Sequence, residues 1–317
     1  MDKEITPLLS VVFTSYNHEK YLQQAVEAIL NQTFKDFELI IVDDASTDSS
    51  AEILKRYSKI DYVKLHLLAE NTGSYVKASN YGAQGARGRY LIFAQCDDYA
   101  ELTQFDTLIK ALENDENVGV AFCRSNLIDE DSNFISDDYT IRDRVFKRRF
   151  KKDTKLSSAE VSYFLSYSCI LPNLSAAILR TELYKRVLLS EKYLMAADWL
   201  FWLDLSKITN FYYISKPLNN FRQHSATIRS KTKIDKQLKE IYAVFNEHIS
   251  KYNLKGRSKN DLLTGFGNVW CNYFLEAPLP VASSLIRSLY KYTLDNKMMP
   301  YFLIKGTLKK VSAIILK

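Results

Sequence analysis

The chain has 317 residues, 47% of them apolar and 25% charged, with nine glycines, six prolines and a formal net charge of +6. This composition excludes a disordered chain, and the length suits one large α/β domain, alone or with a helical appendage. Glycine is scarce, no G-x-G-x-x-G or G-x-x-x-x-G-K run occurs, and Gly265-Phe266-Gly267 lacks a third glycine, which counts against a glycine-loop dinucleotide or P-loop site.

In chain order, Leu8–Ser15 (LLSVVFTS) reads as a buried strand from its β-branched and aromatic content. Tyr16-Asn17-His18 leads into a helix over His18–Asn31, where Tyr21, Leu22, Ala25, Ile29 and Leu30 recur at helical spacing. Phe37–Val42 is a second buried strand ending in Asp43-Asp44-Ala45-Ser46-Thr47-Asp48, with Ser46 or Asp48 placed to cap a helix over Ser50–Ser58. Val63–Leu68 is a third strand, followed by Glu70-Asn71-Thr72-Gly73 and a helix over Ser74–Gly85. A fourth apolar run, Tyr90–Phe93, ends in Gln95-Cys96-Asp97-Asp98. Four strand–helix alternations with short connections predict right-handed βαβ units and a mostly parallel sheet.

Polar clusters then fall at the carboxyl end of every strand: Tyr16-Asn17, Asp43-Asp44, Asn71-Gly73 and Asp97-Asp98. Open α/β sheets bind ligands at that edge. Adjacent aspartates also end many solvated turns, but four such clusters on one rim read as a site. Carboxylate oxygens suit a hard divalent ion such as Mg²⁺ or Mn²⁺, with phosphates completing the shell.

Beyond the fourth strand, Leu102–Asn114 reads as a helix and Val118–Cys123 as a strand. Ser125–Lys155 is polar, and its charge run Arg142–Lys152 reads as a solvated face or loop. Ser157–Arg180 is apolar, broken at Pro172-Asn173, and Ser190–Thr209 holds the helix-like run Asp198-Trp199-Leu200-Phe201-Trp202-Leu203. Phe211–Ile214 is a short strand, with Phe221-Arg222-Gln223-His224-Ser225 expected in a loop. Ile234, Leu238, Ile241, Tyr242, Phe245 and Ile249 form an amphipathic stripe, so a boundary is placed near Lys231, with residues 231–317 helical and punctuated by Pro278, Pro280 and Pro300. Lys305, Lys309, Lys310 and Lys317 alternate with apolar pairs at the end. That pattern suits an interfacial helix on a membrane surface and equally a helical cap packed on the domain or on a second copy. Cys96, Cys123, Cys169 and Cys271 are scattered, with no CxxC pair, and read as reduced buried thiols. The start MDKEITPLLSVVF is not read as a signal peptide, and no apolar run approaches the roughly 20 residues of a membrane span.

Over Leu8 to Ser230 the chain resembles the inverting GT-A glycosyltransferases of glycosyltransferase family 2. The matching pieces are SVVFTSYNHEKYLQQAVEAILNQTFKDFELIIVDDASTDSS, ENTGSYVKASNYGAQGARGRYLIFAQCDD, AADWLFWL and FRQHSATI, and the Asp-Asp-x-Ser-x-Asp run is the most specific of them. The resemblance implies a GT-A catalytic domain over residues 1–230: a Rossmann-like α/β fold with a mostly parallel sheet flanked by helices. It also implies a hexosyl- or N-acetylhexosaminyl-transferase using a nucleotide-diphosphate sugar, usually UDP-linked, with Mn²⁺ or Mg²⁺ on the diphosphate and inversion at the anomeric carbon. By position, Thr14, Tyr16, Asp43 and Asp44 would hold base and ribose, and Asn71, Gly73 and Lys77 would line the donor pocket. The family's D-x-D metal motif reads Gln95-Cys96-Asp97 here. Asp97 is therefore the expected metal ligand, with Asp98 shaping the loop, and the neutral Gln95 amide is left to hydrogen-bond a ribose hydroxyl or a metal-bound water.

Asp198 matches the family's general base, which an acceptor hydroxyl needs as it attacks. Arg222 and His224 fall where related enzymes bring a basic group or histidine toward the diphosphate or metal, and an ordinary loop histidine fits as well. Trp199 and Trp202 suit core packing better than sugar stacking, and Cys96 reads as a small filler. The partners implied are a nucleotide-sugar donor and a glycan or lipid-linked acceptor of surface polysaccharide. Nucleic acid is not expected; a homo-oligomer is allowed. The expected place is the cytoplasm, with peripheral contact to the inner membrane face. A non-catalytic nucleotide-sugar binder in a glycan-assembly complex is the competing reading, resting on Gln95.

Overall fold

The computed structural model describes residues 6–138, 144–171, 173–224 and 232–276, with Leu285, Tyr292 and Tyr301. Within them ten strands form one sheet. Its first half is parallel, in the order β3 (Val63–Leu67), β2 (Phe37–Asp43), β1 (Leu9–Ser15), β4 (Tyr90–Gln95). All seven residues of β1 and of β2 are buried, as continuous apolar runs require when helices cover both faces. Alternation along β1 sends Val12 into one core and Val11 and Phe13 into the other. The predicted helices appear as α1 (Glu19–Leu30), α2 (Ser50–Lys55), α3 (Tyr75–Gln84) and α4 (Gln104–Glu113).

The second half departs from the sequence reading. β6 (Val118–Ile128) runs five residues beyond the predicted Cys123, and β10 (Asn210–Arg222) takes in thirteen residues where a short strand and a loop are expected. The two pair in parallel, with register shifts around Pro217. Pro and Asn look like turn residues, but Pro217 sits at an irregularity in the ladder, and buried Asn219 and Asn220 donate to Ser125 Oγ and Glu101 Oε1. Between β4 and β6 lies β9 (Ala177–Arg180), antiparallel to both and hidden in sequence within a longer apolar stretch. β5 (Tyr99–Ala100) and β8 (Thr154–Leu156) pair with β10, and β7 (Phe134–Asp137) pairs with β6. The charge run contains α5 (Arg144–Arg149), whose Phe146 is fully buried among Phe122, Phe164 and Tyr213 while the neighbouring Lys147, Arg148 and Arg149 are exposed.

α6 (Ser158–Leu165) opens with a capping box between Ser157 and Glu160. It is followed by α7 (Thr181–Arg186) and α8 (Ala197–Leu205), the last apolar on every side and buried from Trp199 to Leu205. Trp199 and Trp202 thus belong to the core. The amphipathic stripe after Lys231 forms α9 (Ile234–Lys251), which packs on α8: Phe245 meets Trp199 edge-on at 5.2 Å, and buried His248 and Lys251 each contact Asp204 at 2.6 Å. The described part of the C-terminal region is thus continuous with the core of the sheet domain.

α10 (Gly256–Glu276) crosses residue Ser166 so closely that a Cβ on Gly265 would lie 1.6 Å from the Ser166 carbonyl oxygen. No helix among the described residues is long and apolar enough to cross a membrane. Arg142, Pro172, Ser225 to Ile228 of the FRQHSATI piece, Pro278, Pro280, Pro300 and Lys305, Lys309, Lys310 and Lys317 lie outside the described residues.

Gly265→Ala tests that crossing. Overpacking of this kind costs about 1–3 kcal/mol, so the urea midpoint should fall with an unchanged m-value. An unaltered midpoint would mean that α10 does not rest on Ser166.

Candidate active site

The carboxyl ends of β1 and β2 are stapled together by the residues of the Asp43–Asp48 run. Asp43 accepts from the Ser46 amide and hydroxyl, closing a tight turn through Ala45 at φ 57°. The Ser46 hydroxyl accepts from Asn17 N, and Asn17 Oδ1 in turn accepts from Thr47 N at 2.7 Å. Asp48 accepts from Glu19 N at the start of α1, and Glu19 accepts from Ser49 N at the start of α2. The capping expected of Ser46 or Asp48 is thus delivered across to the neighbouring helix, with Asp48 also accepting from Ser50 N. Hydrogen bonds to Ser50 and Glu19 outweigh partial burial and hold the Asp48 carboxyl below its usual range.

Asp44, buried beside Asp43, accepts from the Thr72 amide and hydroxyl, and its carbonyl accepts from Asn71 Nδ2. Asn71 Oδ1 accepts from Gly73 N, and Gly73 turns at φ 74°, a left-handed conformation that favours glycine, before Ser74 caps α3. Asp43, Asp44, Asn71 and Gly73 therefore form one connected edge, with exposed Lys77 on the first turn of α3. Thr14 sits opposite both Val42 and Gln95 in the ladders, and Tyr16 is 43% exposed at the mouth of the same loop.

The loop after β4 carries the densest chemistry. Asp97 Oδ2 lies 3.1 Å from His224 Nε2, and ligand atoms of His18, Asp97 and His224 all fall within 4.8 Å of one another. Burial pushes the Asp97 carboxyl up, but the His224 hydrogen bond and the proximity of His18 outweigh it and hold the group below its usual range. Its neighbour Asp98 is enclosed, accepts from Asn173 Nδ2 and Arg222 N, and is pushed up to about 8 by burial and the charge of Asp97. Burial also pushes the Cys96 thiol up, and the side chain fills space in the core.

Arg222, expected toward the diphosphate, is only 1% exposed. Its guanidinium donates to the carbonyls of Asp97, Asp129 and Glu130, to Ser132 Oγ and to Gln24 Oε1, and lies 4.4 Å from the Tyr21 ring centre. It braces the loop that carries Asp97 from within.

Asp198 occupies the first turn of α8 and is half-buried. It stands near Tyr75 at the start of α3, whose phenol is pushed up by burial and then by the charges of Asp198 and Glu240. The backbone just before it is gripped from α9: Glu240 Oε1 accepts from the amides of Leu194, Met195 and Ala196 at 2.5–2.8 Å. His18 and Glu240 are the residues that the sequence reading passes over. His18 stands in the rim cluster after β1, where its position beside Tyr16 is the signal. Glu240 looks like an ordinary polar residue of an amphipathic helix.

The sequence profile described as "Glycosyl transferase family 2" matches residues 10–171, about half of the chain. An uncharacterized glycosyltransferase of Methanocaldococcus jannaschii is 29% identical over 206 residues, covering 64% of this chain and 65% of the relative. Glycosyltransferase GlyG of Streptococcus pneumoniae serotype 4 is 29% identical over 277 residues, covering 85% of this chain and 88% of the relative. The match thus spans just under two thirds of the first relative's length and most of the second's. In fold, the chain is similar to S. aureus TarS 1-349 solved in complex with UDP-GlcNAc, with a TM-score of 0.70 at 20% identity over 94% of this chain and 88% of that one.

Arg222→Lys tests the brace. Lysine offers one compact donor group to acceptors spread over three segments, and each buried carbonyl left without a donor costs about 1–3 kcal/mol. The melting temperature should fall measurably, and a variant as stable as the parent would show the guanidinium bonds to be unimportant.

Proposed function

The chain belongs to glycosyl transferase family 2, and from that premise we propose that it moves a sugar from a UDP-linked donor to a hydroxyl of a glycan or lipid-linked acceptor in surface polysaccharide synthesis, with inversion at the anomeric carbon. The observation that carries this reading is the meeting of Asp97 and His224 on the same strand rim as the Asp43–Asp44 and Asn71–Gly73 edge. The likeness of fold to a protein solved with UDP-GlcNAc is consistent with a UDP-linked donor.

In this reading Thr14, Tyr16, Asp43 and Asp44 receive base and ribose. Asn71, Gly73 and Lys77 line the donor pocket, and the Gln95 amide meets a ribose hydroxyl or a metal-bound water. Asp97 and His224 fit a divalent ion, Mn²⁺ or Mg²⁺: their ligand atoms are 3.1 Å apart, close to the ~3 Å expected of adjacent ligands at about 2.1 Å from one ion. Such an ion, when bound, offsets the charge growing on the departing diphosphate. Arg222 holds Asp97 in place and does not touch the donor. Asp198 takes the proton of the acceptor hydroxyl as the oxygen attacks, and no paired acid is required, because a diphosphate leaves without protonation. Residues 1–230 are the catalytic domain and 231–317 a C-terminal region that carries helices α9 and α10. Glu240 of that region positions the backbone leading into Asp198, and the last residues serve a membrane surface, an oligomer contact or packing on the domain.

The deciding experiment is calorimetric titration of UDP with Mn²⁺ or with EDTA, on the parent and on Asp97→Ala, followed by donor hydrolysis with a panel of UDP-sugars. Metal-dependent binding lost in Asp97→Ala supports the donor site; no nucleotide diphosphate binding in either condition overturns it. Asp198→Asn should keep UDP affinity and lower turnover by about 10²–10⁴-fold. Retained turnover would remove Asp198 from the role of base, and binding without turnover in the parent would favour the non-catalytic reading.

Glu240→Ala should lower kcat while leaving the donor KM close to the parent's, because only the backbone before Asp198 is released. A change in donor KM alone would refute that positioning role.

A further inference from the structure

Gln95 stands where the family's metal motif has its first carboxylate, so an ion held by Asp97 and His224 is one charged ligand short. A third ligand is nevertheless present, on a different loop. His18 follows β1, and its backbone is fixed on both sides: Asn17 is bonded to Ser46 and Thr47, and His18 N donates to Ser50 Oγ. Its ring is fixed as well. Nδ1 lies 2.6 Å from the Tyr16 carbonyl oxygen, and a carbonyl only accepts, so Nδ1 is the donor there and the neutral ring presents its lone pair at Nε2. A backbone carbonyl on the far nitrogen is the usual way a metal-binding imidazole is oriented. The His18 and His224 rings meet edge to face at 5.6 Å, and the three ligand atoms lie within 4.8 Å of one another, a span that one ion can bridge with small side-chain rotations.

We propose that His18 is a third metal ligand, and that this chain holds its divalent ion with two imidazole nitrogens and one carboxylate oxygen. The proposal rests on the reading of Asp97 and His224 given above. Three ligands on one side of an ion leave the other positions to diphosphate oxygens and water. One carboxylate with two neutral imidazoles leaves a net charge of about +1 on a divalent ion, where two carboxylates would leave it neutral, so exchanging a carboxylate for His18 strengthens the pull on the leaving diphosphate. Imidazole nitrogen also changes which ions bind. Mn²⁺, Co²⁺ and Zn²⁺ accept nitrogen ligands, whereas Mg²⁺ prefers oxygen, so Mg²⁺ should be the poorer occupant.

The test uses the full chain with Mn²⁺ alone. Pulsed electron paramagnetic resonance counts the nitrogens coupled to the bound ion, and calorimetry gives its affinity. Two imidazole nitrogens in the parent, one in His18→Ala, an affinity weakened about 10–100-fold or more in that variant and weak competition by Mg²⁺ are the expected results. Because the parent spectrum answers by itself, a variant that fails to fold does not block the test, and His18→Gln provides a second, milder substitution. A parent spectrum with one nitrogen that vanishes in His224→Ala, unchanged in His18→Ala, overturns the role of His18 while leaving the Asp97–His224 reading intact. No Mn²⁺ bound with or without UDP overturns both.

Discussion

The buried guanidinium of Arg222 is the constraint on which the geometry of the rim depends. A charge enclosed by protein is tolerated only where its donors are met, and here they are met by the loop after β4, the turn between β6 and β7 and helix α1. None of these acceptors is a carboxylate, so the bonds fix the backbone and leave the acids nearby to other work. The adjacent Asp98 completes the joint from the other side by accepting from the backbone of Arg222 and from Asn173. Asp97, between two such anchors, has little freedom to leave the position it shares with His224. The closing residues of β10 are thus bound to the metal-motif loop by main chain and side chain together, and His224 comes two residues after the strand's last, Arg222.

The Asp43–Asp48 run does the same for the other half of the rim. Its polar residues are spent mostly on backbone amides of the β1 loop, α1 and α2. That explains why the order of acid, acid, spacer, serine, spacer, acid matters more than charge alone. Removing the Ser46 hydroxyl would leave the Asp43 turn with its backbone bond alone and take from the Asn17 amide its acceptor. Ser46 thus acts with Thr47, Asp48 and Ser50 in holding the loop after β2 against the one leading to His18.

Legibility in the sequence followed burial. The first four strands are readable because both their faces are apolar, and a run such as FELIIV has no other stable environment in a chain of this composition. β6 and β10 are readable only where they are apolar. Their carboxyl halves carry Arg124, Ser125, Asn126, Asn219 and Asn220, which bond to one another and to Asp138 and Glu101 beside the sheet. A hydrophobic pattern cannot register a strand whose buried residues are polar and paired. The same limit applies at the site. Asp97 and Asp198 are marked by position, and His224 by its neighbours. The meeting of His18 with Asp97 and His224 joins residues 79 and 206 positions apart in the chain and exists only in three dimensions.

The C-terminal helices extend this argument to Asp198, the residue proposed as the base. Asp198 needs a fixed position near the rim, yet the stretch before it, from Leu194 to Ala196, has no sheet partner to hold it. Three amides converge on one oxygen of Glu240, and Lys192 and Tyr193 both reach Glu247 two turns further along α9. α9 is held in turn by Asp204 of α8, which receives His248 and Lys251 at the helix's far end. Helix α8 is thus clasped at both ends by the helix that follows the sheet, and its first turn carries Asp198. A region that reads in sequence as an appendage is mechanically part of the site: loosening α9 would release the loop before Asp198 without touching any residue of the strand rim.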